Sequence, residues 1–576
     1  MRRNLAALAN QTFDVLVIGG GMHGACVAYE AALRGLSVAL VEQADFASGT
    51  SANSLKVIHG GLRYLQTADL QRMRQSIKER QTLMRIAPHL VHPMPVLVPT
   101  YGHGMKGKEA MTMALKMNDV ISGDRNFPLK DPQKHIPAGK ILSKTECLQY
   151  LPELPTEGLT GAAYFHDAQV YNSEQLVLAF IQSAAQHGAQ IANYVRVIDL
   201  CREEARVCGA VVEDQLNASD AARFTVKAKT VINASGPWID QIIAKATGQL
   251  APVHALAKAM NLVTRPLFAP RADSPQPAVG ITGRAPGSRL FFIAPWRDRS
   301  LVGTWYGPDN EGSRPPAATS DEVIAFLADI NQAYPSFNLT PNDVEWVHSG
   351  LLPSDGLSAQ TGDMKLTKRF QLKSHHAEGF RGLLSVKGVK YTTARDLARR
   401  AVDWAFWDQQ RSSPPSYSHR ESLFGGAIDR FDEHLAIALK TYSQDVPAHT
   451  IKQLVYNYGA EYKSVLNYRR FKADTLAAEV RYGLENTMAQ TLSDILFRRT
   501  ELGAAGHPGD QVITACAAVM REVLGWDISR QNAEIEQVQQ QFARNQYGQG
   551  FERRDEPVAV ERSQRIEPAP NLPCPV

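Results

Sequence analysis

Residues 13–42, FDVLVIGGGMHGACVAYEAALRGLSVALVE, constrain the fold more than any other stretch. Asp14–Ile18 is a short apolar run rich in Val and Ile, the pattern of a buried parallel strand. Gly19, Gly21 and Gly24 then spell G-x-G-x-x-G. The first glycine permits a tight turn, the second lets a pyrophosphate approach the backbone, and the third lets the following helix pack close to the strand. That helix presents free N–H groups and a positive dipole end to phosphate, and Ala25, Ala28, Ala31 and Ala32 keep it slim. Leu36–Val41 reads as the next strand, and Glu42 ends it 18 residues after Gly24. An acid there accepts hydrogen bonds from a ribose diol and disfavours a 2′-phosphate. Strand, turn, helix, strand and acid agree on a dinucleotide-binding α/β unit.

The chain has 576 residues, 44% hydrophobic and 21% charged, which is globular composition with length for two or three domains. A formal charge of +4 is small for this size and argues against a nucleic-acid partner. The six cysteines (Cys26, Cys147, Cys201, Cys208, Cys516, Cys574) have no metal-ligand spacing, so no metal is expected and a reducing cytoplasm fits best. No run of 18 apolar residues exists, and the start, MRRNLAALANQTFD, reads as a short helix near the first strand. Peripheral contact with the inner face of the cytoplasmic membrane, and pairing into a homodimer, are left open.

The organisation is discontinuous. Residues 1–80, 170–250 and 376–408 are assigned to the dinucleotide domain, and 81–169 with 251–375 to a substrate or cap domain. Residues 420–548 form a helical C-terminal domain, and 549–576 a disordered tail rich in charge and proline. Ala68–Arg85 has helical spacing. Residues 86–165, rich in Pro, Gly and Met, read as loops and cap structure over the site. A helix is expected over Glu174–His187, a strand over Gln190–Val197, a hairpin from Val207–Glu213 and Arg223–Lys227, and a separate short strand at Thr230–Ile232. Alternating strands at Asn261–Thr264, Leu290–Ala294, Leu301–Thr304 and Asp343–Gly350 suggest an antiparallel sheet.

The fingerprint does not separate NAD from FAD. Its N-terminal position, with partner segments more than 150 residues away, and the late NASGPW turn at 233–238 favour FAD. The chain resembles the FAD-dependent glycerol-3-phosphate dehydrogenases over nearly its whole length. The resemblance is carried by VIGGGMHGA at 17–25, TSANSLKVIHGGLRYLQ at 50–66, APHLVHPMPVLVP at 87–99, NASGPW, FFIAPW at 291–296 with VGT at 302–304, LLSVKGVKYTTAR at 383–395, FGGAI at 424–428 and LFRRTELG at 496–503. It implies a glutathione-reductase-type FAD-binding Rossmann fold with an antiparallel-sheet substrate domain and a C-terminal α-helical domain. It also implies that FAD is held by Gly19, Gly21, Gly24 and Glu42, by Thr50, Ser51 and Ser54, by His59, Gly60, Gly61 and Leu62, and by Ala234, Ser235 and Gly236. Lys390 and Thr392 would lie near the pyrimidine end of the isoalloxazine, where a cation favours hydride acceptance.

The resemblance implies oxidation of a secondary alcohol: hydride passes to flavin N5 and a base takes the hydroxyl proton. Its most concrete form is conversion of sn-glycerol 3-phosphate to dihydroxyacetone phosphate, with quinone or oxygen as acceptor. Arg63 and Tyr64 match the family's substrate-side pair. Other positions depart. The family's S-G-x-R-P-L reads Ser349-Gly350-Leu351-Leu352-Pro353-Ser354, a second arginine aligns with Lys368, and a histidine aligns with Asn261. Trp305-Tyr306 stand where the family has Thr-Asp, and Trp305 is expected to wall the pocket. Arg369, next to Lys368, is expected on the opposite face of a strand. Losing an arginine removes charge-assisted bonds of roughly 1.5–3 kcal/mol each. Two readings follow: glycerol 3-phosphate on an anion site rearranged around Arg63 and Lys368, with or without Arg369, or the same flavin chemistry on another polyol, hydroxy acid or glycerol-phosphate derivative. The substitutions weigh toward the second and the resemblance toward the first. A non-catalytic flavin-binding partner protein and an amine oxidase are further alternatives. Arg63, Tyr64, Asn261, Lys368 and Lys390 are the candidate catalytic residues.

Overall fold

In the computed structural model, described for residues 1–545 and 547 except 105–106, 218–221, 248–254, 270–274, 283–289, 310–315, 358–363 and 473, two large sheets meet along the segments that carry the motifs. The tail read as disordered lies outside the described residues.

The first sheet is built on Thr12–Ile18. It pairs in parallel with Val38–Val41 on one side and Arg223–Asn233 on the other. Gln190–Ala192 continues the sheet beyond Val38–Val41, and Leu383–Lys387 with Gln371–Ser374 extends it beyond Arg223–Asn233. The helix Met22–Leu33 is buried on almost every side between helices Ser173–Gln186 and Ala394–Asp408, which explains its alanines. The expected N-terminal helix is Leu5–Asn10; the Asn4 side chain accepts from Ala7 N at 2.9 Å, and Leu8 packs into the same core as Phe13. Arg223–Lys227 and Thr230–Ile232, read as separate strands, are one strand, antiparallel to Arg206–Asp214 at its start and parallel to Thr12–Ile18 from Lys227 onward. Gln190–Val197 is instead broken after Ala192, and a second strand runs Val195–Glu203; Tyr194 at the break has φ 57°.

The second sheet runs, in order, Met364–Leu366, Val344–Leu357, Leu256–Thr264, Arg299–Pro308, Leu290–Trp296, Ala278–Thr282, Val91–Tyr101, Leu159–Val170 and Val57–Ile58. It is antiparallel except where Ala278–Thr282 runs parallel to Val91–Tyr101. Residues 86–165 are therefore not mainly loops. They supply the strands Val91–Tyr101 and Lys140–Ser143, most of Leu159–Val170, and the helices Lys108–Ile121 and Lys144–Tyr150. Pro93, Pro95 and Pro99 fall at alternate positions and share one edge of their strand, leaving the other edge whole for Leu159–Val170. Residues beyond 430 are helical, from Phe431–Tyr442 to Ile528–Asn545, and cover the second sheet around Trp346 and Trp296.

Candidate flavin and substrate site

The glycine turn has the geometry its spacing demands. Gly19 has φ 109°, and a Cβ there would lie 2.7 Å from the Ala234 carbonyl oxygen. A Cβ on Gly24 would collide with the Gly19 carbonyl, so helix and strand touch backbone to backbone. The helix begins at Gly21 without a side-chain cap, and its first-turn N–H groups have no partner within the helix. Ser51 Oγ accepts from Met22 N at 2.9 Å. Glu42 reaches back to the turn, accepting from Gly20 N at 2.6 Å and Ala44 N at 2.9 Å. Burial raises its carboxyl pKa, partly offset by those amides. Ala234 N donates to the Ile18 carbonyl at 2.9 Å, Ser235 Oγ donates to Asn233, and Gly236 turns with φ 61°. Gly19, Gly21, Gly24, Glu42, Ser51 and Ala234–Gly236 thus surround one cradle with open helix N–H groups and an acid, a donor set that fits the pyrophosphate and ribose of FAD.

A second group of predicted residues converges on Tyr64. Gly61, in the left-handed region at φ 87°, starts the short 3-10 helix Leu62–Thr67 that carries Arg63 and Tyr64. The Lys390 ammonium lies 4.2 Å from the centre of the Tyr64 ring and the Arg72 guanidinium carbon 4.7 Å. Burial, and then the charge of Arg63, lower the Lys390 pKa to about 8. His23, which sequence reading passed over, links the two regions. It packs against Gly388 and hydrogen-bonds the Lys390 backbone, and burial lowers its pKa to about 4. Thr392 is buried in the turn leading into Ala394–Asp408.

Lys368 and Arg369 do not alternate on a strand, because the strand ends at Leu366. Both are exposed, and they touch the same neighbourhood: Arg72 donates to the Lys368 carbonyl at 3.1 Å, and Arg369 pairs with Asp69 at 3.0 Å. His59 is half-exposed, with Nδ1 3.0 Å from Asp167 Oδ2. Gly60 N and Arg80 both donate to Asp167 Oδ1, at 2.6 and 2.8 Å. Burial pushes the Asp167 carboxyl up, but His59, Arg80 and Gly60 more than offset it and hold it below its ordinary value. Asp167 was invisible in the sequence because it lies in no motif, just beyond the stretch read as loop, and meets the His59 segment only through strand pairing.

The other wall comes from the second sheet. His348 Nδ1 lies 3.2 Å from Asn53 Oδ1, and Gly350 packs on Thr50, whose hydroxyl donates to the Leu351 carbonyl and accepts from Leu351 N. Leu352 belongs to the same row of alternating positions, so the position the resemblance reserves for an arginine does face the nucleotide domain and is apolar. Asn261 is 2% exposed; Thr304 donates to its oxygen at 2.9 Å and its amide nitrogen reaches the Asn53 carbonyl at 3.4 Å. Its amide is committed to bracing the Asn53 loop rather than free for a ligand. Trp305 also departs from expectation. It pairs with Met260 and packs into the core that contains Phe326, on the sheet's far side, which puts Tyr306, opposite Ala259, on the Asn261 face. Lys56 anchors the loop from below: its ammonium, fully buried, reaches Ser173 at 2.7 Å, Glu174 at 3.1 Å and the Ala52 carbonyl at 3.1 Å. Ser54 accepts from Lys56 N at 3.2 Å.

Residues 14–413 match the family described as FAD dependent oxidoreductase, and residues 416–531 match the C-terminal domain of alpha-glycerophosphate oxidase. A glycerol-3-phosphate dehydrogenase of Mycobacterium leprae is 32% identical over 91% of this chain and 88% of its own. One from Synechocystis is 29% identical over 94% of this chain and 98% of its own. The solved glycerol-3-phosphate dehydrogenase of Bacillus halodurans, complexed with FAD, superposes with a TM-score of 0.74 at 24% identity, covering 95% of this chain and 98% of that one; it shares the fold. With its glycine cradle and its helical C-terminal domain, the chain belongs to the FAD-dependent oxidoreductases and, among them, to the glycerol-3-phosphate dehydrogenase family.

Proposed function

We propose that this protein oxidises sn-glycerol 3-phosphate to dihydroxyacetone phosphate. The observation that carries the reading is that Lys390 lies on the Tyr64 ring and feels the charge of Arg63, that Arg72 on the same ring ties in the Lys368 backbone, and that the described residues supply no hydrogen bond or ion pair to the side chains of Arg63, Lys368 and Lys390; the His59–Asp167 pair lies a few residues along the same segment. Cations gathered without counter-charges attract an anion. The names of the relatives support the same substrate. When bound, FAD supplies the hydride acceptor. Arg63 and Lys368 hold the phosphate, and Lys390 places positive charge at the flavin side of Tyr64. Asp167 fixes the His59 ring through Nδ1, leaving Nε2 to take the carbinol proton. Asn261, His348 and Lys56 keep the Asn53 loop in place.

Leu352 supports a second reading, the same chemistry on a larger or less charged polyol, because an apolar side chain stands where a phosphate-binding arginine is expected. Anaerobic addition of glycerol 3-phosphate to the purified yellow protein separates the two. Loss of flavin absorbance supports the first, and H59N should slow it by about 10²–10⁴-fold while leaving substrate affinity nearly intact. No bleaching by glycerol 3-phosphate, with bleaching by another polyol or hydroxy acid, overturns it.

The acceptor we infer is a quinone dissolved in lipid, reached from the cytoplasmic side of a membrane. No helix of the described residues is long and apolar enough to cross one. Helix Lys108–Ile121 instead presents an outward apolar face: Met113, Met117, Val120 and the nearby Phe127 are 61%, 45%, 82% and 92% exposed. Lys108, Lys116 and Lys130 are exposed around it, the arrangement of a surface that lies on anionic lipid. The helix packs beside the segment that carries Arg63.

A further inference from the structure

The anion site proposed above has a cation that no motif assigns. We infer that Arg72 is a phosphate-binding, specificity-determining residue of this chain, and that it supplies the charge which Leu352 does not. The inference rests on the glycerol 3-phosphate reading and extends it.

Arg72 lies in the first turn of the helix Leu70–Ile86, directly after the segment that carries Arg63 and Tyr64. Two contacts hold its guanidinium in a defined place. Nε donates to Asp69 Oδ2 at 2.6 Å, and one terminal nitrogen donates to the Lys368 carbonyl at 3.1 Å. The guanidinium carbon then sits 4.7 Å from the centre of the same Tyr64 ring that Lys390 approaches at 4.2 Å. The other terminal nitrogen has no hydrogen-bond partner among the described residues. The group is thus pre-positioned on two edges and open on the third, which is how an arginine built for an oxyanion is held.

The surrounding charge points the same way. The segments that carry Arg63, Arg72, Lys368, Arg369 and Lys390 meet here, and among the described residues Asp69 is the carboxylate paired with them. It is shared between Arg72 and Arg369. Burial opposes its charge, but the Arg72 backbone amide and then the Arg369 and Arg72 guanidinium groups together outweigh it and lower its pKa to about 2. An uncompensated group of cations favours a dianion over a neutral polyol. The side chain of Arg72 is 17% exposed, so its remaining donors are screened less than those of a surface arginine. A purely structural Arg72, bracing residue 368 against the helix, would use the same two contacts. The test therefore reads phosphate affinity and not stability.

The holoenzyme is titrated anaerobically with glycerol 3-phosphate, and separately with inorganic phosphate as a competing anion. R72Q keeps a donor for the Lys368 carbonyl and removes the charge. It should raise the half-saturating glycerol 3-phosphate concentration and weaken phosphate competition by a similar factor, about tenfold to a hundredfold for one charge-assisted contact, while the limiting bleaching rate stays within a few-fold. R72K, which keeps the charge but not the planar fork, should fall between. Unchanged affinity for both anions in R72Q overturns the inference, as does a loss of bleaching rate without a loss of phosphate affinity. If R72Q does not retain FAD, R72K decides: phosphate competition equal to wild type overturns the assignment. A wild-type flavin that glycerol 3-phosphate leaves oxidised, but that phosphate perturbs through Arg72, overturns the substrate and supports the anion site. A wild-type flavin that responds to neither overturns both.

Discussion

At the scale of single residues, Lys390 is the group most shaped by its surroundings. Burial and Arg63 bring its pKa from 10.5 to about 8 in the free protein. The sign has two consequences. Folding disfavours the charged form, so this site contributes less stability at neutral pH than above it, and the free fold gains stability as pH rises from about 8 towards 10.5. Activity runs the other way. The ammonium that helps hold an anionic substrate loses its proton as pH climbs through about 8. The rate of flavin bleaching at low glycerol 3-phosphate should therefore fall on the alkaline side. K390M should lower that rate about a hundredfold or more and abolish the alkaline limb, while thermal stability holds or improves. A limb that survives in K390M assigns it to another group.

At the scale of elements, the helix Lys108–Ile121 carries a prediction of its own. Its exposed Met113, Met117 and Val120 face outward with Phe127 while Leu115 faces the core, so the helix has two apolar sides and only one is covered by protein. Replacing Met117 and Phe127 by Glu should reduce co-flotation with anionic vesicles several-fold and leave anaerobic flavin bleaching unchanged, since neither residue touches the site. Equal flotation of variant and wild type assigns membrane contact elsewhere. This helix also marks where the sequence stopped being legible. The elements whose periodicity comes from being buried on both sides, Thr12–Ile18, Met22–Leu33 and Ser173–Gln186, stand out as apolar runs between glycines and caps. Val91–Tyr101 does not, because Pro93, Pro95 and Pro99 imitate a loop while sharing one strand edge. The site divides in the same way. Gly19, Gly24, Arg63 and Lys390 lie in motifs whose spacing carries meaning. Asp167, Arg72 and His348 reach the site only through strand pairing and helix packing, and no local pattern announces a contact made across more than a hundred residues, as between His59 and Asp167. Trp305 and Tyr306 were legible as a substitution but not as faces, since a register shift next to Met260 decides which of them points where.

At the scale of the whole molecule, the C-terminal helices are tied to the nucleotide cradle by charge. Asp45, three residues beyond Glu42, is fully buried and accepts from Arg498 at 2.5 Å and from Arg499 at 2.8 Å. Asn193 donates to the same carboxylate at 3.0 Å. Burial opposes its charge, but the two guanidinium groups outweigh it and hold the carboxyl well below the usual carboxylate range. Because folding lowers this pKa, the stabilisation is present above the ordinary value of 3.8 and is lost as pH falls below it. D45N leaves buried Arg499 without its counter-charge and Arg498 with Asp494 alone, and should cost about 3–5 kcal/mol. Thermal unfolding of the variant measures this, and flavin release should accompany it because the same loop carries Glu42. A change below about 1 kcal/mol would mean that water replaces the carboxylate. This latch also imposes an order on the protein's making. The strand Thr12–Ile18 leaves the ribosome early, yet its neighbour Arg223–Asn233 follows some two hundred residues later, and the partners of Asp45 come only near the chain's end. A segment made before its partners is thus finished only when they arrive, and secure retention of the cofactor waits for the C-terminal helices.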